Sequence, residues 1–318
     1  MNKEALKRSL RKNDIIKQMP KACSDELHAV EFLEHHRWGD KPTCAHCGSE
    51  HVYQMLGRDG GRNKRFLWRC KACTKQYTVR IGTVFEDSRI PLRHWCFAFW
   101  RACTAKKGVS ALEIKRQIQV SYKSALFMMH RIRFAMSDDG PGFLTGTVEI
   151  DETYVGGKVR HKTDVETRKK LGWRGDNKTP VVAIVQRGGN IRTMTAPKVN
   201  SRNIKEFVRG NVHKTAHIMT DESPFYHGLG KKYASHETIT HSAGEYARGD
   251  VTTNTVEGFF SLLKRGIHGS YHAVSKQHLH RYLAEFEYRY NTREWDDGER
   301  TAEIIRKAVG KRLVYKAI

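Results

Sequence analysis

Hydrophobic and polar positions along the chain follow two regimes. Between residues 90 and 136, apolar residues recur at helical spacing. The stretch "IPLRHWCFAFWRAC" (90–103) is aromatic and of helix length. In 108–118, Ala111, Leu112, Ile114 and Ile118 form one stripe. A break at Val120–Ser121 follows, with Ser121 suited to cap a second helix over about 122–136, where Ala125, Met128, Met129, Ile132 and Met136 stand at core spacing. After the Gly/Pro joint "DDGPGF" (138–143) the pattern changes to β-branched alternation. "TVEIDETYV" (147–155), "PVVAIVQRG" (180–188) and "NIRTMTAP" (190–197) read as strands, the last two joined as a hairpin. A helix over 200–212, capped by Asn200 or Ser201, precedes strands at 216–223 and 236–242. Helices over 253–266 and 278–290 close the pattern, the latter with Leu279, Tyr282, Leu283, Phe286 and Tyr290 on one face. The order β-β-β-α-β-(α)-β-α specifies a mixed α/β domain around one sheet.

Seven cysteines modify this picture. Four stand as Cys44-x-x-Cys47 and Cys70-x-x-Cys73. Two such pairs, set among the turn residues of "TCAHCGSE" and "WRCKACTKQY", can close four thiolates around one tetrahedral Zn²⁺. A structural zinc ribbon is therefore expected. Cys23, Cys96 and Cys103 lack such spacing and read as core thiols, and with four cysteines available neither His46 nor His51 is needed as a ligand.

Charge points to the partner. Lys and Arg number 57 against 34 Asp and Glu, a net +23 on 318 residues that are 39% hydrophobic. A folded chain this basic is matched to a polyanion, and nucleic acid is favoured over an anionic membrane because no transmembrane run and no signal peptide are seen. A cytoplasmic, nucleoid-associated location is expected. Residues 100–136 hold eight Lys/Arg and one acid, so the two short helices there read as a helix-turn-helix. Tyr122, Lys123, Ser124 and Arg131 are its candidate base or phosphate contacts; the competing reading is a plain helical hairpin with a solvated basic face. The segment 158–178, with eight Lys/Arg and three acids, reads as a DNA-contacting insertion or a solvated loop.

Three carboxylates carry candidate chemistry. Asp151 lies within a strand bounded by apolar residues, where a carboxylate is costly unless paired or metal-bound. Asp221 ends another strand, where ligand groups converge in α/β sheets. Glu257 stands in the first turn of the helix "TNTVEGFFSLLKRG" (253–266). Such carboxylates can hold Mg²⁺, and two such ions can bracket a phosphodiester. Asn254-x-x-Glu257 also fits a capping box with Asn254 as N-cap. Glu149, Glu152 and Glu222 read as surface charges or supporting groups, Asp250 as a loop residue, and His241 and His268 as neighbours of the site.

The segments "CAHCG…CKAC", "VSALEIKRQI…SYKSALFMMHRIR", "VEIDETYVGGK", "MTDES" and "TNTVEGFFSLLKRGIHGSY" resemble those of insertion-sequence DDE transposases of the ISXO-like branch with an N-terminal zinc ribbon. The likeness spans roughly residues 25–295. It implies an RNase H-like, DDE integrase-type catalytic domain (144–295), and the chain as a whole divides into a basic N-terminal helical segment (1–40), a zinc ribbon (41–88), a helix-turn-helix DNA-binding region (89–137), that domain and a C-terminal tail (296–318). It also implies the reaction: cleavage at transposon ends, then transfer of the freed 3′-OH into target DNA, with Mg²⁺ or Mn²⁺ at Asp151, Asp221 and a third residue, by a homodimer or larger assembly on double-stranded DNA. The third residue in such enzymes is Glu or Asn, and both are present. Glu257 and Lys264, seven residues apart, fall within about 20° of one helical face, whereas Asn254 lies about 80° from Lys264. A carboxylate also brings charge that an amide lacks. Glu257 is thus the preferred ligand, Asn254 the alternative, and Lys264 a contact to the DNA backbone near the cleaved end. A DNA-binding regulator with an inert catalytic fold, or a nuclease that only hydrolyses, are the competing functions.

Overall fold

The computed structural model describes residues 15–137, 142–156, 178–196 and 198–314. The basic start of the chain and all but the last residue of the 158–178 insertion lie outside them. The described residues form two compact units. One contains Met1–Met136 together with Glu294–Ile318, the other Ser137–Arg293.

In the first unit, residues 15–24 are helical and lead into α1 (Glu26–Trp38), where Asp25 accepts the His28 N–H at 2.9 Å. A small antiparallel sheet follows, β1 (Val52–Gln54), β2 (Trp68–Cys70) and β3 (Gln76–Tyr77), in that spatial order. Glu34 of α1 accepts the Trp68 indole N–H at 2.8 Å and Arg62 Nη2 at 2.5 Å, tying helix to sheet. Helices α2 (Leu92–Thr104), α3 (Ala111–Ile118) and α4 (Tyr122–Met136) come next. Ser110 caps α3 by accepting the Glu113 N–H, and Gln119, at φ 57°, turns the chain out of it. Ser121 Oγ accepts the Ser124 N–H at 3.1 Å and so starts α4 where the sequence placed its cap. The inward face of α4 is as expected, with Ala125, Met128, Met129, Ile132 and Met136 all buried. On α3 the stripe is narrower than expected. Ala111, Ile114 and Ile118 are buried, but Leu112, about 100° round the helix from Ala111, is 55% exposed.

Residues 296–318 are not a simple tail. A capping box of Asp296 and Glu299 starts α8 (Asp297–Lys307), whose Thr301, Ala302, Ile304 and Ile305 are buried where it packs on α1, α2 and α4. Burial of that stripe explains why the segment folds back into the first unit.

The second unit is built on a five-stranded mixed sheet. Its strands are β4 (Thr147–Val155), β5 (Thr179–Gln186), β6 (Ile191–Thr195), β7 (His217–Asp221) and β8 (Ser235–Ile239), in the order β6-β5-β4-β7-β8. The β4–β5 and β5–β6 pairs are antiparallel; β4–β7 and β7–β8 are parallel. The mixed α/β expectation is met. Helix α5 (Ser201–Asn211), capped by Asn200, packs Ile204 and Val208 with Val148 and Ile150 of β4 on one face of the sheet. On the other face, α6 (Asn254–Gly266) and α7 (Leu279–Asn291) pack Val256, Phe259, Leu263, Leu283 and Phe286 against Val155, Val181, Ala183 and Val185. Because strand side chains alternate, Glu149 and Asp151 share the face of Val155, the one covered by α6. Among the described residues no helix is long and apolar enough to cross a membrane.

Candidate active site and metal centre

The carboxylate site is assembled by strand register. In the parallel β4–β7 pair, Thr147 faces His217, Val148 faces Ile218 and Glu149 faces Met219. Two residues beyond that last pair on each strand stand Asp151 and Asp221, level with one another at the C-terminal end of β7. Glu257 projects from the first turn of α6, on the helix that covers this face.

Electrostatics record the convergence. Burial, with Glu152, Asp221 and Glu257 as further negative neighbours, pushes the Asp151 carboxyl up to about 7, although the Glu152 N–H donates to its Oδ1 at 2.7 Å. Burial also raises Asp221, with Glu222 adding to the rise, against the Ser223 N–H at 3.0 Å and the charge of His241. Glu152, on the opposite face, is raised by burial while accepting the Tyr226 hydroxyl. Carboxylates held this way are poised to bind a cation, since a metal offsets both the burial and the mutual repulsion. Their donor set, three hard oxygens, fits Mg²⁺ or Mn²⁺. They stand further apart than the ligands of one closed shell. Among the described residues, the only group of three or more metal-binding side chains within 4.8 Å of one another is the cysteine cluster.

Glu257 is 46% exposed in its side chain; its Oε1 accepts the Thr253 hydroxyl at 2.8 Å and lies 3.6 Å from His241 Nε2. His241 does adjoin the site. Its backbone N–H and that of Ser242 donate to Glu222, at 2.9 and 3.0 Å. Hydrogen bonds to its own N–H and to Ser242 hold the Glu222 carboxyl down at about 2. Lys264 is exposed on α6, the same helix as Glu257, and His268 is exposed beyond its end.

The capping-box reading of Asn254 and Glu257 is not realised. Thr253, not Asn254, occupies the N-cap, and no side chain of the helix caps it. Asn254 is exposed at the first helical position, with its N–H on Thr252 Oγ1 at 3.1 Å. The helix start is held instead from the sheet by Glu149, whose Oε2 accepts the N–H groups of Thr255 at 2.8 Å and Val256 at 3.0 Å, while its Oε1 accepts the Thr255 hydroxyl at 2.8 Å. Arg187 Nε completes the arrangement, 2.6 Å from Glu149 Oε1. The same guanidinium donates to the Asp250 and Thr252 carbonyls at 2.7 and 3.0 Å. Glu149 is fully buried. Of its two expected readings, surface charge or supporting group, the first is therefore excluded and the second describes what it does at the helix start. Its place on the inward side of β4, two residues from Asp151, was the available signal.

The metal centre lies in the first unit. Cys44 Sγ is 3.7 Å from Cys73 Sγ, and Cys47 Sγ is 3.7 Å from Cys70 Sγ. Four sulfurs each about 2.3 Å from a tetrahedral Zn²⁺ stand about 3.8 Å apart. Backbone N–H groups of His46 and Cys73 point at Cys44 and Cys70 sulfurs, each at 3.4 Å, which favours thiolates. Gly48, at φ 76°, provides the left-handed turn after the first knuckle, and Trp38, Trp68 and Tyr77 pack beside it. Cys96 and Cys103 are buried and Cys23 half-buried, away from this cluster.

The proposed DNA-reading positions fare differently. Tyr122 and Lys123 are exposed at the start of α4. Ser124 Oγ is within 2.9 Å of Ser121 Oγ, so its hydroxyl serves the helix start. Arg131 does not face outward. It is 6% exposed and donates to the Glu86 carbonyl at 2.8 Å and the Leu313 carbonyl at 3.2 Å, which its fork of donors satisfies inside the unit. It braces the fold, and the expectation that it contacts DNA is corrected.

Comparison with known proteins bears on this geometry. Residues 143–291 match the ISXO2-like transposase domain, and residues 24–76 match the transposase zinc-ribbon domain. A relative from Halobacterium salinarum, described as an uncharacterized protein in transposable element ISH50, is 30% identical over 278 residues, covering 85% of this chain and 92% of that protein. A cryoEM structure of a simian T-cell lymphotropic virus intasome in complex with PP2A regulatory subunit B56 gamma aligns over 55% of this chain and 63% of its own at 13% identity, with a TM-score of 0.28. That last similarity is too low to carry an argument.

Three outcomes follow from the two sites. Metal analysis of the purified chain should find one Zn²⁺ per molecule, lost in Cys44→Ser together with the order of residues 41–80; a zinc-free folded protein, or a disulfide, would refute the assignment. Without magnesium, Asp151 binds a proton more tightly when folded than unfolded. Its ionisation therefore lowers stability as pH rises from about 4 through about 7. Asp151→Asn should remove that decline and raise stability at pH 8 by on the order of 2–4 kcal/mol. Identical pH profiles by urea unfolding would exclude it. Glu149→Gln should cost about 3–5 kcal/mol in the same assay, the scale of breaking a buried ion pair. A loss under about 1 kcal/mol would show that the helix start holds without it.

Proposed function

The chain belongs to the ISXO2-like insertion-sequence transposases, and from that premise we propose that it binds insertion-sequence ends, cleaves them and transfers the 3′-OH ends into target DNA. The observation that carries the reading is the placement of Asp151 and Asp221 level on adjacent parallel strands, with Glu257 on the covering helix. The sheet order, three antiparallel strands continued by two parallel ones, supports an RNase H-like domain.

In this proposal Asp151, Asp221 and Glu257 hold two Mg²⁺ (or Mn²⁺) ions. When bound, such ions activate the attacking oxygen and stabilise the leaving oxygen of the phosphodiester. The protein's own groups position and neutralise. Glu149 fixes the start of α6, so that Glu257 is presented from a rigid helix. Lys264, further along it, contacts the backbone beside the reacting phosphate. Asn254 is the alternative third ligand, exposed at the start of the same turn. The four cysteines hold a structural zinc. The exposed start of α4, with Tyr122 and Lys123, contacts the element's end as part of a helix-turn-helix. The assembly on double-stranded DNA is a dimer or larger, acting in the cytoplasm at the nucleoid.

The purified protein, incubated with its element's own ends, a target plasmid and Mg²⁺, should cleave and join them. Asp151→Asn and Asp221→Asn should each lower both steps by about 10²-fold or more while leaving end binding within a few-fold. Strand transfer at the wild-type rate in either variant would sink the metal assignment. Between the two third-ligand candidates, an inactive Glu257→Gln with an active Asn254→Ala supports Glu257, and the reverse selects Asn254. A protein that binds ends but never cuts them is the regulator instead, and one that cuts without joining is the nuclease.

Division of labour between helices gives a further outcome. Lys264→Ala should lower joining with end binding nearly intact, whereas Lys123→Ala should reduce discrimination of ends from random DNA in a competition binding assay. Loss of end recognition in the first and not the second would reverse the two roles.

A further inference from the structure

In the first unit lies a cavity of about 340 Å³ whose lining includes no cysteine and no residue of α4. Three segments line it: the β1–β2 loop with Lys64, Arg65 and Phe66, the chain just after β3 with Thr78 to Arg80, and the entry to α2 from Arg89 to Arg93, with Glu26 and Val30 of α1 at its back. Five cations and one acid give the lining a net charge of 5 − 1 = +4.

The acid and one cation are committed. Glu26 accepts the Leu92 and Arg93 N–H groups at 2.7 and 3.0 Å, capping α2, and stands 3.7 Å from Arg80. Arg80 in turn donates to the Ser88 and Ile90 carbonyls at 3.2 and 3.0 Å. The other four, Lys64, Arg65, Arg89 and Arg93, make no side-chain ion pair among the described residues. Among the described residues no ion pair offsets their mutual repulsion around one concavity, which is the signature of an anion site.

The chemistry of the lining narrows the anion. Arg80, whose side chain is 22% exposed, is already held by Glu26 and two carbonyls, so the cations left for a ligand are those nearer the opening. Lys64, Arg65 and Arg89 are exposed at its rim, on two walls, and Arg93 is half-buried. Val30, Val79 and Leu92 form a buried apolar floor. An extended polyanion laid across the opening would meet charge from both walls at successive positions. The loop wall is held in shape: Asn63 Oδ1 accepts the Arg65 N–H at 2.8 Å and Phe66 adopts φ 54°, a conformation unusual for a non-glycine residue.

We propose that this cavity is a seat for the phosphodiester backbone of one DNA strand, with Lys64 and Arg65 on one phosphate and Arg89 and Arg93 on a neighbouring one. The inference rests on the DNA-binding reading above and adds a contact independent of α4. It positions DNA and does not read sequence, because phosphate contacts carry no base information.

The test uses the full chain and two labelled duplexes, the element's end and a random sequence of equal length, titrated across a range of salt. Each double variant, Lys64→Ala/Arg65→Ala and Arg89→Ala/Arg93→Ala, should lower the slope of log affinity on log salt by about 0.9, the loss of one phosphate contact, and the quadruple variant by about twice that. The ratio of end to random affinity should change less than about threefold. Zinc content serves as the folding control, and if the quadruple variant loses zinc the double variants decide. An unchanged slope in zinc-bound double variants overturns the proposal, as does collapse of the end-to-random ratio. Adding ATP at a concentration equal in phosphate to the DNA should displace little. Displacement that the double variants abolish would instead mark a site for free nucleotide, and overturn it. These measurements read binding alone, so a wild-type protein that binds DNA but fails to join it would count against the proposed function and leave this inference standing.

Discussion

The fully buried carboxylate of Glu149 is the constraint on which the second unit turns. A charge in that position is tolerated only when its oxygens are saturated, and here two backbone N–H groups, a hydroxyl and a guanidinium do so. Each partner belongs to a different task. The N–H groups are the open donors of α6, which a helix must satisfy somewhere and which favour an anion at that end. The guanidinium also gathers the loop carbonyls of Asp250 and Thr252 that lead into the helix. One interaction thus sets where α6 starts, and with it the place of Glu257 relative to Asp151, two residues along the same strand face.

That precision serves a site at odds with its own stability. Asp151 and Asp221 are both raised by burial and by negative neighbours, so the unliganded fold carries unfavourable charge. The apolar packing of α6 and α7 on the sheet and the Glu149 ion pair hold the carboxylates in place against that repulsion. Tolerated frustration of this kind is characteristic of sites arranged for a ligand and not for the apoprotein.

How much of this could be seen in the sequence depended on how local each signal was. The double CxxC, the Ser121 cap and the alternation of β4 are patterns over a few residues, and each named the right element. Asp151 stood out because a carboxylate among strand apolars has few benign explanations. The surface-charge alternative for Glu149 and the DNA-contact expectation for Arg131 fail for a shared reason. Each is satisfied by partners far away in sequence, Thr255 and Val256 for one, Glu86 and Leu313 for the other, and no window contains both ends of such a contact. The local rule also favoured the wrong cap for α6, because Asn254-x-x-Glu257 satisfies a motif that a strand carboxylate pre-empts. Residues 296–307 were missed on weaker grounds, since Ala302, Ile304 and Ile305 do show a helical stripe.

The return of α8 to the first unit makes the chain's topology discontinuous. Residues 137–293 are in effect an insertion into a domain whose last core element, with Ile304 and Ile305, comes after them. During synthesis, at about 5–20 residues per second, residues 137–307 take roughly 10–30 s, and the first part of the outer unit waits that long for its final helix while the inserted unit is made. The order of assembly is therefore inverted relative to the order of the genes' reading: the part that begins first is finished last. A transcript or chain cut short before residue 297 yields a complete five-stranded sheet attached to a first unit without its closing helix.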